Sequence, residues 1–182
     1  MQYKSLREEI SEPLNILLSS IKKNNKIKIF GHLPIHHQIK RRIKTRIKFE
    51  EFYKNNSFKK VNSPLFITGL PRSGTSYLFS LLSLSSNYRS PTYWEIMHGI
   101  PEFKNSKNAH KAIRKTKIDL YLAKLLIPKL NQIHHIEATT PEECQQIATM
   151  SIKSFVYMCI ADVPEYMEYL KESDFTDVFR LH

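Results

Sequence analysis

Residues 65–76 read Leu65-Phe66-Ile67-Thr68-Gly69-Leu70-Pro71-Arg72-Ser73-Gly74-Thr75-Ser76. Leu65 to Thr68, opened by Pro64 and closed by Gly69, is a short apolar and partly β-branched run, which predicts a buried parallel strand. Leu78, Leu81 and Leu82 then follow at helical spacing. The expected path is strand, tight turn, helix. Such a turn aims several backbone N–H groups at one spot, and the positive end of the helix adds to them, so the place suits an anion. Two of the four glycines in the chain, Gly69 and Gly74, stand in this loop, where close approach of the backbone and positive φ call for glycine. Arg72 adds a guanidinium fork, and Ser73, Thr75 and Ser76 add three hydroxyls. The triphosphate pattern G-x-x-x-x-G-K-[ST] is met at Gly69, Gly74 and Ser76, but Thr75 stands where its lysine should reach the phosphates. No Asp following a later apolar strand offers itself as a Mg²⁺ partner. The reading is a metal-free cradle for a smaller anion.

Outward from the loop, the 182 residues suit one domain or part of a larger one. The net charge of +11 is concentrated: residues 22–60 hold thirteen Lys/Arg against Glu50 and Glu51, and the remainder balances. Leu6, Ile10, Leu14, Leu17, Leu18 and Ile21 predict an amphipathic helix, bent or restarted at Pro13. Ile35, Ile39, Ile43 and Ile47 predict a second from about Pro34, with Lys40, Arg41, Arg42, Lys44, Arg46 and Lys48 forming a basic back. Beyond the loop, a second short strand is expected around Ser90 to Trp94, and a helix through Ala109, Ile113, Leu120, Leu122, Leu125 and Leu126. Thr140-Pro141-Glu142-Glu143 has the order of a capping box and predicts a helix to about Ala161. Cys144 and Cys159 are in no ligand-spaced cluster and are read as buried, reduced thiols. With no signal-peptide core and no membrane-length apolar window, a cytoplasmic location is expected.

The stretch from Gly69 to Leu82, GLPRSGTSYLFSLL, resembles the 5′-phosphosulfate loop of sulfotransferases that use 3′-phosphoadenosine-5′-phosphosulfate (PAPS), in the branch written PRSGT. Residues 134–148, HHIEATTPEECQQIA, are similar to the same branch, which carries a histidine and then Pro-Glu-Glu. The resemblance implies an α/β, P-loop-containing sulfotransferase-like fold, mostly helical in this portion, with a helical region over 1–62 and the sulfotransferase portion over 63–182. It implies PAPS as sulfuryl donor and a small-molecule or carbohydrate hydroxyl or amine as acceptor. By position, Arg72 matches the family's residue on the 5′-phosphate, and Ser73, Gly74, Thr75 and Ser76 complete the cradle. Glu95 falls where related enzymes carry a proposed general base; His98, His134 and His135 stay open as alternatives. The family's 3′-phosphate segment, an R-D-P-like context after a later strand, is absent. The chain is therefore expected to be the truncated amino-terminal half of such a fold, inactive alone and able to associate with a carboxyl-terminal half.

Two other readings start from the same residues. An altered nucleotide kinase or NTPase loop would require Mg²⁺ for ATP. A non-catalytic helical module would use the basic 22–60 segment to bind nucleic acid or acidic lipid, with steep salt dependence; nucleic acid is not the expected partner.

Overall fold

The computed structural model describes residues 2–24, 27, 29–55, 63–70, 73–98, 106–130 and 134–182. The regular elements among the described residues are helices, as the apolar spacing requires, and the chain divides into two compact units.

The first unit joins residues 1–49 to 144–182. Its helices are α1 (Gln2–Lys23), most of α2 (Ile29–Asn55), α6 (Gln145–Ala148), α7 (Val156–Ile160), α8 (Pro164–Glu172) and α9 (Thr176–Leu181). The stripe expected on α1 faces inward at Ile10, Leu17 and Ile21, and Pro13 is buried inside a helix that continues through it. α1 packs along α8. Ser20 Oγ donates to Glu165 Oε2 at 2.7 Å, Lys23 Nζ to Glu165 Oε1 at 3.1 Å, and Asn24 Nδ2 to the Asp162 carbonyl at 2.8 Å. The Ser20 hydroxyl first, then a backbone hydrogen bond at Glu165 and the Lys23 ammonium, hold the pKa of the exposed Glu165 carboxyl down to about 2.

The basic back expected of α2 is only half there. Lys40, Lys44 and Lys48 are exposed, but Arg42 and Arg46 continue the inner stripe of Ile35 and Ile39, and Arg46 is 0% exposed. Burial of a guanidinium requires partners, and the 3₁₀ turn Thr149–Ser151 supplies one to each arginine. Arg42 Nε donates to Thr149 Oγ1 at 2.6 Å and its NH2 to the Gln146 carbonyl at 2.8 Å. Arg46 NH1 donates to Ser151 Oγ at 2.9 Å, and NH2 to Glu9 Oε2 at 3.2 Å. Ile152 ends this turn with φ 54°, a left-handed conformation that strains a β-branched residue. Complete burial and the Tyr166 hydroxyl, which donates to the Ile152 carbonyl at 2.8 Å, hold it there.

The second unit spans residues 50–143 and contains α3 (Thr75–Leu82), α4 (Tyr93–His98) and α5 (Ser106–Leu126). α5 forms where expected. It buries Ala112, Thr116 and Leu120, while Leu122 and Leu125 lie on its exposed side. Leu120, Ile136 and Ala138 form a small core with Tyr93 and Ile113 against it, and α4 packs on α5.

Four further expectations are corrected. Among the described residues, Leu65 to Thr68 forms no strand; no neighbouring strand is there to share a ladder, and a parallel strand does not stand alone. The strand expected at Ser90 to Trp94 reduces to one antiparallel bridge, Thr92 to Pro141, before α4 begins. The long helix from Thr140 is replaced by an irregular strap and the short helices α6 and α7. The strap's backbone is engaged elsewhere: Tyr93 N–H donates to the Thr140 carbonyl, Trp94 N–H to the Ala138 carbonyl, and Glu142 N–H to the Pro91 carbonyl, at 2.9–3.1 Å. Thr140 Oγ1 pairs with the backbone of Glu137, not with Glu143. Cys144 and Cys159, expected to be buried, are exposed, and neither is in a disulfide. No helix among the described residues is long and apolar enough to cross a membrane.

Candidate functional site

The loop closes through its own backbone. Ser73 N–H donates to the Leu70 carbonyl at 3.2 Å, and Leu78 N–H to the Gly74 carbonyl at 3.0 Å, which starts α3. Gly74 is the N-cap residue with φ 87° and ψ 11°, the left-handed conformation expected of glycine here. Gly69 has a different reason: a Cβ there would lie 2.9 Å from both Ser73 Oγ and Thr75 Cγ2. Ser73, Gly74 and Ser76 are exposed and Thr75 is half-buried. The N–H groups in the first turn of a helix have no acceptor within it, so this geometry can present donors to an anion in water's reach. Arg72 lies outside the described residues.

Glu95 sits in the first turn of α4 with both carboxylate oxygens engaged. Oε2 accepts from Thr92 N–H at 2.8 Å and from Thr92 Oγ1 at 2.9 Å, and Oε1 accepts from Arg89 NH2 at 2.6 Å. The backbone contact is the glutamate half of a capping box in Thr92-Tyr93-Trp94-Glu95. The Arg89 side chain in this ion pair is 76% exposed. Neither Arg89 nor this second Thr-x-x-Glu was singled out in the sequence, although the pattern itself was the available signal.

The histidines separate. His98 Nε2 lies 3.2 Å from Thr116 Oγ1 and ties α4 to α5. His135 is exposed, 3.6 Å from Glu137. His134 Nε2 is 3.0 Å from Glu142 Oε1, whose residue is 4% exposed. The bond to Glu142 is the largest influence on the imidazole and raises its pKa above 6.5, against the opposing effect of burial. A raised histidine value adds stability that is fully present below the unfolded pKa, near 6.5, and is lost as pH rises through the folded one. Thermal stability is therefore expected to fall across neutral pH in the wild type and to change less in His134→Gln. Melting curves from pH 5 to 9, with an NMR titration of His134, check this.

The last contact links the strap to the loop. Ser76 Oγ donates to Glu143 Oε1 at 2.6 Å. The structure thus brings Ser73, Gly74, Thr75 and Ser76 together and adds Glu143, which the sequence had suggested only as part of a helix cap.

Residues 64–181 match the model of the sulfotransferase family. The chain belongs to that family. This sulfotransferase-family chain also shares its fold with the crystal structure of sulfotransferase STF1 from Mycobacterium tuberculosis H37Rv. The TM-score is 0.77 at 22% sequence identity, covering 97% of this chain and 50% of that one. The chain spans about half the length of that sulfotransferase. No curated protein matches significantly.

Proposed function

We propose that this chain forms the amino-terminal portion of a PAPS-dependent sulfotransferase, with the sulfotransferase part over 63–182, acting in the cytoplasm on a small-molecule or carbohydrate acceptor. The observation that carries the reading is the loop: Gly74 turns left-handed at the head of α3 among Ser73, Thr75 and Ser76, inside the family match.

PAPS supplies a sulfur electrophile with adenosine 3′,5′-bisphosphate as leaving group. The acceptor hydroxyl or amine forms a bond to sulfur as the bond from sulfur to the bridging phosphate oxygen breaks, and the acceptor proton leaves to a base. Arg72 and the loop N–H groups stabilise the negative charge that grows on the departing phosphate. Glu95 takes the acceptor proton after Arg89 moves away. A carboxylate beside a loop hydroxyl, as at Glu143 and Ser76, is also the kind of pair that holds Mg²⁺ in nucleotide-triphosphate sites, so metal dependence separates this reading from an NTPase.

The Glu95 role gives the test. In protein carrying both halves of the fold, Glu95→Gln is expected to lower turnover by a hundredfold or more, within the range of general-base catalysis. Bisphosphate affinity should stay within about twofold, since Glu95 serves only the acceptor. Transfer from PAPS to a phenolic or sugar hydroxyl, measured beside bisphosphate affinity, reads both. Unimpaired turnover would remove Glu95 from the mechanism and leave the histidines.

The uncovered apolar surface fits the same reading. α3 buries none of its residues, and Leu70 and Leu84 are 79% and 83% exposed, with Phe66, Tyr77, Leu78 and Leu81 also open. Apolar exposure on this scale marks an interaction surface, here for the carboxyl-terminal half of the fold. Expressed as these 182 residues, the protein is expected to self-associate and to bind a hydrophobic dye; sizing and dye fluorescence check it. A dye-silent monomer would show the face needs no cover.

A further inference from the structure

We propose that Glu143 is a positioning residue for the anion loop, clamping the first turn of α3 through the Ser76 hydroxyl, and that the Ser76 hydroxyl is therefore not itself an anion donor. A serine has one O–H to give, and at 2.6 Å it is given to Glu143 Oε1. An anion accepts and cannot donate, so it gains nothing from the oxygen's remaining lone pairs. Ser76 serves the anion through its backbone N–H, and Ser73 and Thr75 are the hydroxyls left to face it.

Glu143 is itself braced. Its N–H donates to Glu142 Oε1 at 2.9 Å, and that buried carboxylate also meets His134 Nε2 at 3.0 Å. The Glu142 N–H is bonded to the Pro91 carbonyl, next to the Thr92–Pro141 bridge. The strap is thus pinned on one side to the segment leading into α4, and presents Glu143 to α3 on the other. α3 buries no residue of its own, so a tether at its first turn supplies order that packing does not. The charge on Glu143 opposes an anion nearby, while its oxygen holds the helix that binds it; these two effects separate in Gln.

The ligand arm of the test rests on the sulfotransferase reading; the clamp can be read without ligand. Amide hydrogen exchange at Leu78 to Leu82 is measured in the unliganded wild type, Glu143→Ala, Glu143→Gln, Ser76→Ala and the double alanine variant. Exchange is expected to quicken about three- to tenfold in each alanine variant, the net scale of one ordinary hydrogen bond. The double variant should be no worse than either single, and Gln should restore protection. Adenosine 3′,5′-bisphosphate affinity, by calorimetry, should fall by a similar factor in the alanine variants and equal or exceed wild type in Glu143→Gln. Unchanged exchange in Glu143→Ala, additive losses in the double variant, or Gln as damaging as Ala would each overturn the clamp. So would tighter bisphosphate binding by Glu143→Ala, because it would mean that the freed Ser76 hydroxyl serves the anion. If no variant binds bisphosphate, the sulfotransferase reading fails, and the exchange result still decides the clamp.

Discussion

Arg72→Ala is expected to slow sulfuryl transfer about a hundredfold or more, the cost of removing one donor aimed at charge that develops in the transition state. Bisphosphate binding should weaken in the same variant, since the leaving phosphate is also the group retained in the product. Arg72→Lys keeps the charge and loses the planar fork, and it should fall between wild type and alanine. Single-turnover transfer and bisphosphate affinity, in protein carrying both halves of the fold, give the two numbers. Loss of affinity without loss of rate would reduce Arg72 to a binding residue. Loss of neither would remove it from the site.

The two loop glycines should fail for different reasons and in different orders. At Gly74 there is nothing within 4 Å of an added Cβ, and the whole cost is the left-handed backbone at φ 87°, about 1–2 kcal/mol for an ordinary residue. Asn tolerates that conformation better than Ala, and β-branched Val tolerates it worst, so bisphosphate affinity is expected to fall in the order Gly, Asn, Ala, Val. At Gly69 the cost is steric. The added carbon meets Ser73 Oγ and Thr75 Cγ2 at 2.9 Å, and Thr75 is stiff at χ1. Overpacking of this kind costs about 1–3 kcal/mol, so Gly69→Ala should lower affinity about tenfold, and Gly69→Asn should be worse than Ala. A series in which Asn rescues both positions equally, read by calorimetry, would show that the loop is not held as described.

The helices were legible because their apolar residues recur at helical spacing and are buried locally: Ile10, Leu17 and Ile21 in α1, Ile35 and Ile39 in α2. What the spacing could not show is which polar residues share that face. Arg42 and Arg46 lie on the inner stripe of α2, but their burial depends on the Thr149–Ser151 turn more than a hundred residues away. The same limit explains the capping boxes. Thr-x-x-Glu occurs at Thr92–Glu95 and at Thr140–Glu143; the first starts a helix, while the second lies in a strap bonded to residues 91–94. The pattern is the same at both, yet only the second reads from the sequence as a helix start; the Thr92–Pro141 bridge ties that second stretch to residues 91–94 instead. At the loop, the glycines and the helix start could be read because they answer to backbone geometry alone. Glu143 could not, because its link to Ser76 spans 67 residues.

The central claim is a metal-free anion site at Gly69 to Ser76, and titration calorimetry with adenosine 3′,5′-bisphosphate, in EDTA and again in Mg²⁺, tests it most directly. The account predicts one bisphosphate per chain with the same affinity in both buffers, weakened by Arg72→Ala and by Gly74→Val. Binding of ATP only in the presence of Mg²⁺, with no heat from the bisphosphate, would contradict it.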